Sequence, residues 1–139
     1  MNYSAHFDSL LVLLLSLTML SGFTPKEFNY LPAKVEDHQI ISYTQLTLSN
    51  NEQYEQADWI AYELTREEVA MKQKRCNCFK TDTSILTKSA SKSDYSSTGF
   101  DLGYLSPSAG NNISKQANEE SFLMSNISPQ IPNFNRGIW

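Results

Sequence analysis

Beyond residue 22 the apolar residues of this chain come only in short runs, and that restricts it to small strands and brief helices. Ile40 to Leu48 (IISYTQLTL) is rich in β-branched and aromatic residues and is followed by Asn50-Asn51, which predicts a strand and a turn. Trp59 to Leu64 (WIAYEL) predicts a second strand, with Ile60, Tyr62 and Leu64 on one face and Trp59, Ala61 and Glu63 on the other. Phe122 to Ile127 predicts a third that ends at Ser128-Pro129, and Cys78-Phe79-Lys80 suits one more short piece. The helical signals are equally brief. Thr65-Arg66-Glu67-Glu68 fits a capping box and predicts a helix to about Lys74, while Ser114 caps a helix to Glu120. Thr81 to Thr98, rich in Ser, Thr and Lys, reads as a long surface loop, and such loops in compact domains are often functional. Mixed strands and short helices define an α+β fold, and 139 residues allow one domain at most.

The organisation reads as three parts. Leu10 to Leu20 (LLVLLLSLTML) is too short to span a bilayer comfortably, suits the core of an export signal, and leads into Ser21-Gly22, where removal is expected. The first nine residues carry neither Lys nor Arg, so a buried core helix is the competing reading. Residues 1–22 are therefore expected to be a signal peptide, 23–39 a connector with Pro25 and Pro32, and 40–139 the folded domain. The expected destination is periplasmic or extracellular, with no membrane attachment after removal.

A net charge of −4, from 11 basic and 15 acidic residues, gives no global field to attract nucleic acid. Any phosphate chemistry needs a local patch, and the densest is Lys72, Lys74 and Arg75 at the end of the first predicted helix. Compensation of that helix's dipole explains the patch equally well. The two cysteines, Cys76 and Cys78, cannot complete a zinc site alone. A bridge at this spacing would be strained, so two partly buried strand residues are expected, with a redox or intermolecular role as the alternative.

Three stretches carry a family resemblance. Gly99-Phe100-Asp101-Leu102-Gly103-Tyr104-Leu105-Ser106-Pro107 resembles the Asp-Arg-Gly-His motif of the DNA/RNA non-specific endonucleases, the ββα-metal or His-Me finger nucleases. Glu120 to Gln130 is similar to that family's Ser-Asn-x-x-Pro-Gln stretch, and Asn135 to Trp139 to its metal-binding asparagine segment. Glu55 to Thr65 and the Arg75, Phe79, Asp82 spacing extend the likeness from about residue 40 to the last residue. The resemblance implies a partial ββα-metal fold whose C-terminal half is missing.

It also implies metal-dependent phosphodiester hydrolysis, in which a histidine is the general base and one Mg²⁺ stabilises the leaving group. On that pattern Asn135 is the metal ligand, Asn126 helps to orient the site, and Arg75, Lys74 and Arg136 contact nucleic acid. DNA or RNA is the implied partner. Tyr104 occupies the general-base position, and Leu102 stands where the motif has its arginine. A tyrosine of pKa about 10 is roughly one-thousandth ionised at pH 7, and general-base catalysis is worth about 10²–10⁴-fold. The expectation is an exported, truncated and catalytically impaired nuclease. The alternatives are a non-enzymatic remnant that binds nucleic acid or a partner, and a working nuclease that uses Tyr104 or borrows its missing half. His38 is expected to be a surface histidine of the connector.

Overall fold

The computed structural model describes residues 30–139, so the expected export signal and the first part of the connector lie outside the described residues. No helix among the described residues is long and apolar enough to cross a membrane. Strands β1 (Gln39–Ser42), β2 (Leu46–Asn51) and β3 (Gln56–Tyr62) form an antiparallel meander in that order. The single strand expected over 40–48 is in fact a hairpin, because Tyr43, Thr44 and Gln45 form its turn. The Tyr43 amide donates to the Leu46 carbonyl at 2.8 Å. Partners elsewhere hold the turn: Thr44 N–H donates to Glu120 Oε2 at 2.7 Å and Gln45 Nε2 to the Gly110 carbonyl at 2.9 Å. In β2, Leu46 and Leu48 are buried on one face and pack with Ile85, Ile41, Tyr43, Ala57 and Ile60. A bulge between Ser49 and Asn50 shifts the pairing with β3.

Ile85 belongs to the segment expected to be a surface loop. That segment instead enters the core, with Asp82, Ile85, Ser89 and Ala90 all buried. Asp82, 1% exposed, is the reason. Its carboxylate accepts from the Tyr43 hydroxyl, from Ser125 Oγ at 2.5 Å and from the Ser84 amide at 2.9 Å. A carboxylate out of water must be hydrogen-bonded or it costs several kcal/mol on the order-of-magnitude scale of such groups. Here it draws three chain segments together.

The capping box is present: Thr65 Oγ1 accepts from Glu68 N–H at 3.2 Å, and Glu68 Oε2 from Thr65 N–H at 2.6 Å. The helix it starts, α1 (Arg66–Ala70), buries no residue and stops at Ala70, short of the expected Lys74. Capping alone does not propagate a helix that lacks packing. Lys72, Lys74 and Arg75 thus lie in the irregular segment beyond it, which removes dipole compensation as their explanation. Of Cys78-Phe79-Lys80, only Lys80 pairs, through one parallel bridge to Leu123.

A second sheet pairs β4 (Asp101–Tyr104) antiparallel to β5 (Ile127–Gln130). Helix α2 (Lys115–Glu120) is capped by Ser114 as expected. Phe122 to Ile127 is not a strand; it turns through a 3-10 segment at Met124–Asn126 before β5 begins. The reason is burial on all sides, since every residue from Ser121 to Ile127 is buried. The strand then continues through Ser128-Pro129, and Pro129 is tolerated because a two-stranded sheet leaves an open edge. Leu102 is only half-buried, whereas Gly103 is buried.

Gly103 is dictated by a close approach rather than by its backbone angle. A Cβ there would lie 2.0 Å from Cδ of Gln130, whose side chain crosses the strand. Gly103→Ala is therefore expected to destabilise the fold by about 0.5–1.5 kcal/mol, the cost of pushing the Gln130 side chain off its rotamer. Adding Gln130→Ala should restore most of the loss, as a double-mutant cycle in urea would reveal. Additive costs would show that the two residues do not meet.

Candidate active site

Tyr104 is the last residue of β4, and its side chain stands in an aromatic cluster. The ring centres of Phe79 and Phe122 lie 5.7 and 5.5 Å from it, and Phe79 and Phe122 are 5.1 Å apart. Arg75 lies across this cluster, its guanidinium carbon 5.3 Å from the Tyr104 ring centre and 5.0 Å from that of Phe122. Its donors are distributed among three partners. Nη2 donates to Tyr104 Oη at 2.9 Å, Nη1 to Ser108 Oγ at 2.6 Å and Nε to Asn77 Oδ1 at 2.8 Å.

Partial burial pushes the Tyr104 hydroxyl above its ordinary pKa, and the neighbouring Arg75 charge with the Ser108 and Arg75 hydrogen bonds only partly offsets it. Tyr104 is thus a neutral phenol near pH 7, not a depressed phenolate.

Asn126 is fully buried and does not face the site directly. Its Oδ1 accepts from Ser106 N–H at 2.8 Å, and its Nδ2 donates to the carbonyls of Ser106 at 2.9 Å and Ser121 at 2.7 Å. It clamps the backbone two residues beyond Tyr104 to the 3-10 segment.

The last turn, a π-helical one at Phe134–Ile138, docks on β4 from its other end. Asn135 Nδ2 donates to Asp101 Oδ2 at 3.1 Å, and Arg136 forks onto both Asp101 oxygens at 2.7 and 2.6 Å. Trp139 Nε1 reaches the Tyr104 carbonyl at 2.8 Å. Asp101 is held ionised well below the usual carboxylate range, first by its Arg136 hydrogen bond and then by Asn135. Arg136 is thus occupied by Asp101 rather than presented freely to phosphate. Asp101, the first residue of the motif-like Asp-Leu-Gly-Tyr stretch, orients the asparagine through its bond to Nδ2.

Among the described residues no group of three or more His, Cys, Asp or Glu is gathered as a metal cage. With the Asn135 amide nitrogen turned to Asp101, the amide oxygen is the donor left for a cation. One neutral oxygen fits a small cation that keeps most of its water, and does not fit a dehydrated, charge-rich site.

Next to Arg75 an open cleft of about 430 Å³ is lined by Gln73, Lys74, Cys76, Lys115, Asn118 and Glu119. Lys74 is placed there as expected beside Arg75, while Lys115 was not anticipated because it belongs to a helix far along the chain. The cysteines differ most from expectation. Cys76 and Cys78 are joined by a disulfide, with Cα atoms 5.1 Å apart. Asn77 between them takes a left-handed φ of +51°, which lets the chain fold back sharply enough. His38 is also not a free surface group; it pairs with the Asp58 carboxylate beside the three-stranded sheet.

The family model for DNA/RNA non-specific endonucleases matches residues 24–139. A nuclease of Nostoc sp. is 30% identical over 121 residues, covering 86% of this chain and 42% of that protein. The mitochondrial endonuclease G of Homo sapiens is 32% identical over 83 residues, 58% of this chain and 28% of that one. A chain in the crystal structure of the EndoG/EndoGI complex matches with a TM-score of 0.67 and 30% identity, over 72% of this chain and 43% of its own. The chain spans less than half the length of each of these proteins.

Tyr43, Tyr95 and Tyr104 are all pushed above the ordinary tyrosine pKa, chiefly by burial, and Asp82 adds to the effect at Tyr43. A raised folded-state pKa contributes stability below the unfolded value, near 10, and loses it as pH rises through the folded value. Stability against urea should therefore fall once pH exceeds about 10. In ultraviolet titration Tyr43, Tyr95 and Tyr104 should ionise late, and the late fraction should shrink in Tyr104→Phe. A titration with no late component in the folded chain would contradict the burial of these three. Asn126→Ala removes three hydrogen bonds in a dry site and should cost about 2–4 kcal/mol in the same urea assay.

Proposed function

The chain belongs to the DNA/RNA non-specific endonuclease family, and we propose that it is an exported member whose phosphodiester hydrolysis is impaired by Tyr104 at the general-base position. The fold is α+β and matches a nuclease structure over most of the chain, which supports placing Tyr104 where a base would act. The observation that carries the reading is the Tyr104–Arg75 contact. Arg75 donates to the phenol oxygen, and burial holds that phenol protonated. A base must accept a proton from water, and an oxygen that keeps its own proton and already receives one hydrogen bond is a poor acceptor for another. Leu102 removes a further cation from a site meant to handle charged phosphate.

The remaining parts suit phosphate better than they suit catalysis. Arg75 is held by three hydrogen bonds, and Lys74 lines the adjoining cleft; Lys115 lines it too but is paired with Glu119 at 3.5 Å, so Arg75 and Lys74 are the cations offered to phosphate there. Asn135 would hold a Mg²⁺ through its amide oxygen, and that ion would supply charge stabilisation to a leaving oxygen. Asp101 keeps the amide in that orientation. These same features favour a second reading, in which the chain binds nucleic acid without cutting it. Export is supported by the Leu10–Leu20 run and fits a chain that carries a disulfide.

The test is cleavage of plasmid DNA and of RNA by the full chain with Mg²⁺, beside an EDTA control and a Tyr104→His variant. The unaltered chain should be slower than the histidine variant by about 10²–10⁴-fold or show no cutting. EDTA should abolish whatever cutting the variant has. Rapid, EDTA-sensitive cleavage by the unaltered chain would sink the impaired-site reading. Salt-dependent binding without cleavage by either protein would favour the second reading.

A further inference from the structure

The segment from Met71 to Phe79 carries Arg75 yet contains no helix or strand of its own. Something else must fix it. Cys76 and Cys78 close a ring that contains only Asn77 between them, which leaves that backbone little freedom. Within the ring Asn77 is held at φ +51°, a conformation available to asparagine but not its most favoured one. In this conformation Asn77 Oδ1 accepts from Arg75 Nε at 2.8 Å. The Cys76 amide meanwhile donates to Asn118 Oδ1 at 3.2 Å, tying the ring to α2. The bridge thus acts on the base of the guanidinium, whose other nitrogens reach Ser108 and Tyr104.

We infer that the Cys76–Cys78 disulfide is a positioning latch for Arg75, so that the affinity of this site for phosphate depends on the redox state of the pair. The inference rests on the phosphate-handling reading of the site given above. Both cysteines are partly exposed, so a small dithiol can reach the bridge. Two electrons and two protons pass from the dithiol to the bridge; its S–S bond breaks, two thiols form, and the dithiol becomes a disulfide. Asn77 is then free to leave the left-handed region, and Arg75 loses the acceptor at Nε. Arg75 keeps its Ser108 and Tyr104 partners, but the Nε end of its guanidinium loses its anchor and must be ordered when phosphate binds. Ordering a long side chain weakens binding roughly three- to tenfold.

The experiment compares the full chain, oxidised and after dithiothreitol, with thiols counted in each sample. Binding of a fluorescent single-stranded DNA oligonucleotide is read by anisotropy at fixed salt, and the Arg75 Nε–H resonance by nitrogen-15 NMR. The oxidised chain should bind roughly three- to tenfold more tightly and show a dispersed Nε–H signal that collapses to the random-coil position on reduction. Cys76→Ser/Cys78→Ser should behave as the reduced chain and ignore dithiothreitol. Asn77→Gly keeps the bridge and tolerates the positive φ but removes the acceptor, so it should lose the dispersed signal without any change in folding. That variant separates the latch from a general loss of structure in the reduced chain. An unchanged resonance in fully reduced protein, or a lost resonance with unchanged affinity, would overturn the inference. If neither form bound the oligonucleotide, the nucleic-acid reading would fall, and the latch would stand or fall on the Arg75 signal alone.

Discussion

The described part of this chain is organised around a buried carboxylate. Asp82 sits out of water and satisfies its oxygens with the Tyr43 hydroxyl, Ser125 Oγ and the Ser84 amide, while its own amide donates to Ser89 Oγ. Tyr43 lies in the β1–β2 turn and Ser125 in the 3-10 segment before β5, while Ser84 and Ser89 share with Asp82 the long connection that leads to β4. The apolar core alone is modest, centred on Leu46, Leu48 and Ile85. Buried polar residues outnumber buried apolar ones among the described residues. In such an interior, hydrogen bonds decide which segments meet, because each unpaired group would cost as much as a lost apolar contact would.

The site inherits its geometry from this polar interior. Asn126 follows directly on Ser125, which holds Asp82, and it clamps Ser106 just beyond Tyr104. From the opposite side Asp101 fastens Asn135 and Arg136 to the beginning of the same strand. Strand β4 is short, and its two ends are gripped by different networks. Tyr104 is consequently presented in one orientation, with Phe79, Phe122 and Arg75 around it. The networks at the two ends of β4 do not use the Tyr104 ring, so a substitution of Tyr104 would leave them in place.

How much of this could be read from the residues depends on the range of the interaction concerned. Local signals were legible: the Thr65 capping box, the Ser114 cap and the strand around Trp59. Signals that needed a distant partner were not. Ile40 to Leu48 reads as one strand because nothing local marks Tyr43-Thr44-Gln45 as a turn; Asp82, Glu120 and Gly110 impose it. Thr81 to Thr98 reads as a solvated loop because its Ser and Thr residues are polar, although Asp82, Ile85, Ser89 and Ala90 turn inward and Ser89 Oγ accepts from the Asp82 amide. Phe122 to Ile127 has a strand's composition, but burial on every side favours a tight turn. Arg136 reads as a free cation until the bidentate pair with Asp101 is seen.

The complete burial of Asn126 has a consequence for how the chain can be made. Asn126-Ile127-Ser128 is an N-glycosylation sequon, and a eukaryotic secretory route attaches the glycan to asparagine while the chain is still unfolded. A sugar on that nitrogen would remove the donor that holds the Ser106 and Ser121 carbonyls, and no space exists for it in the folded interior. Glycan transfer and folding at this asparagine are mutually exclusive, so a host without that machinery can produce the native sequence whereas a host with it would trap a fraction of the chains unfolded.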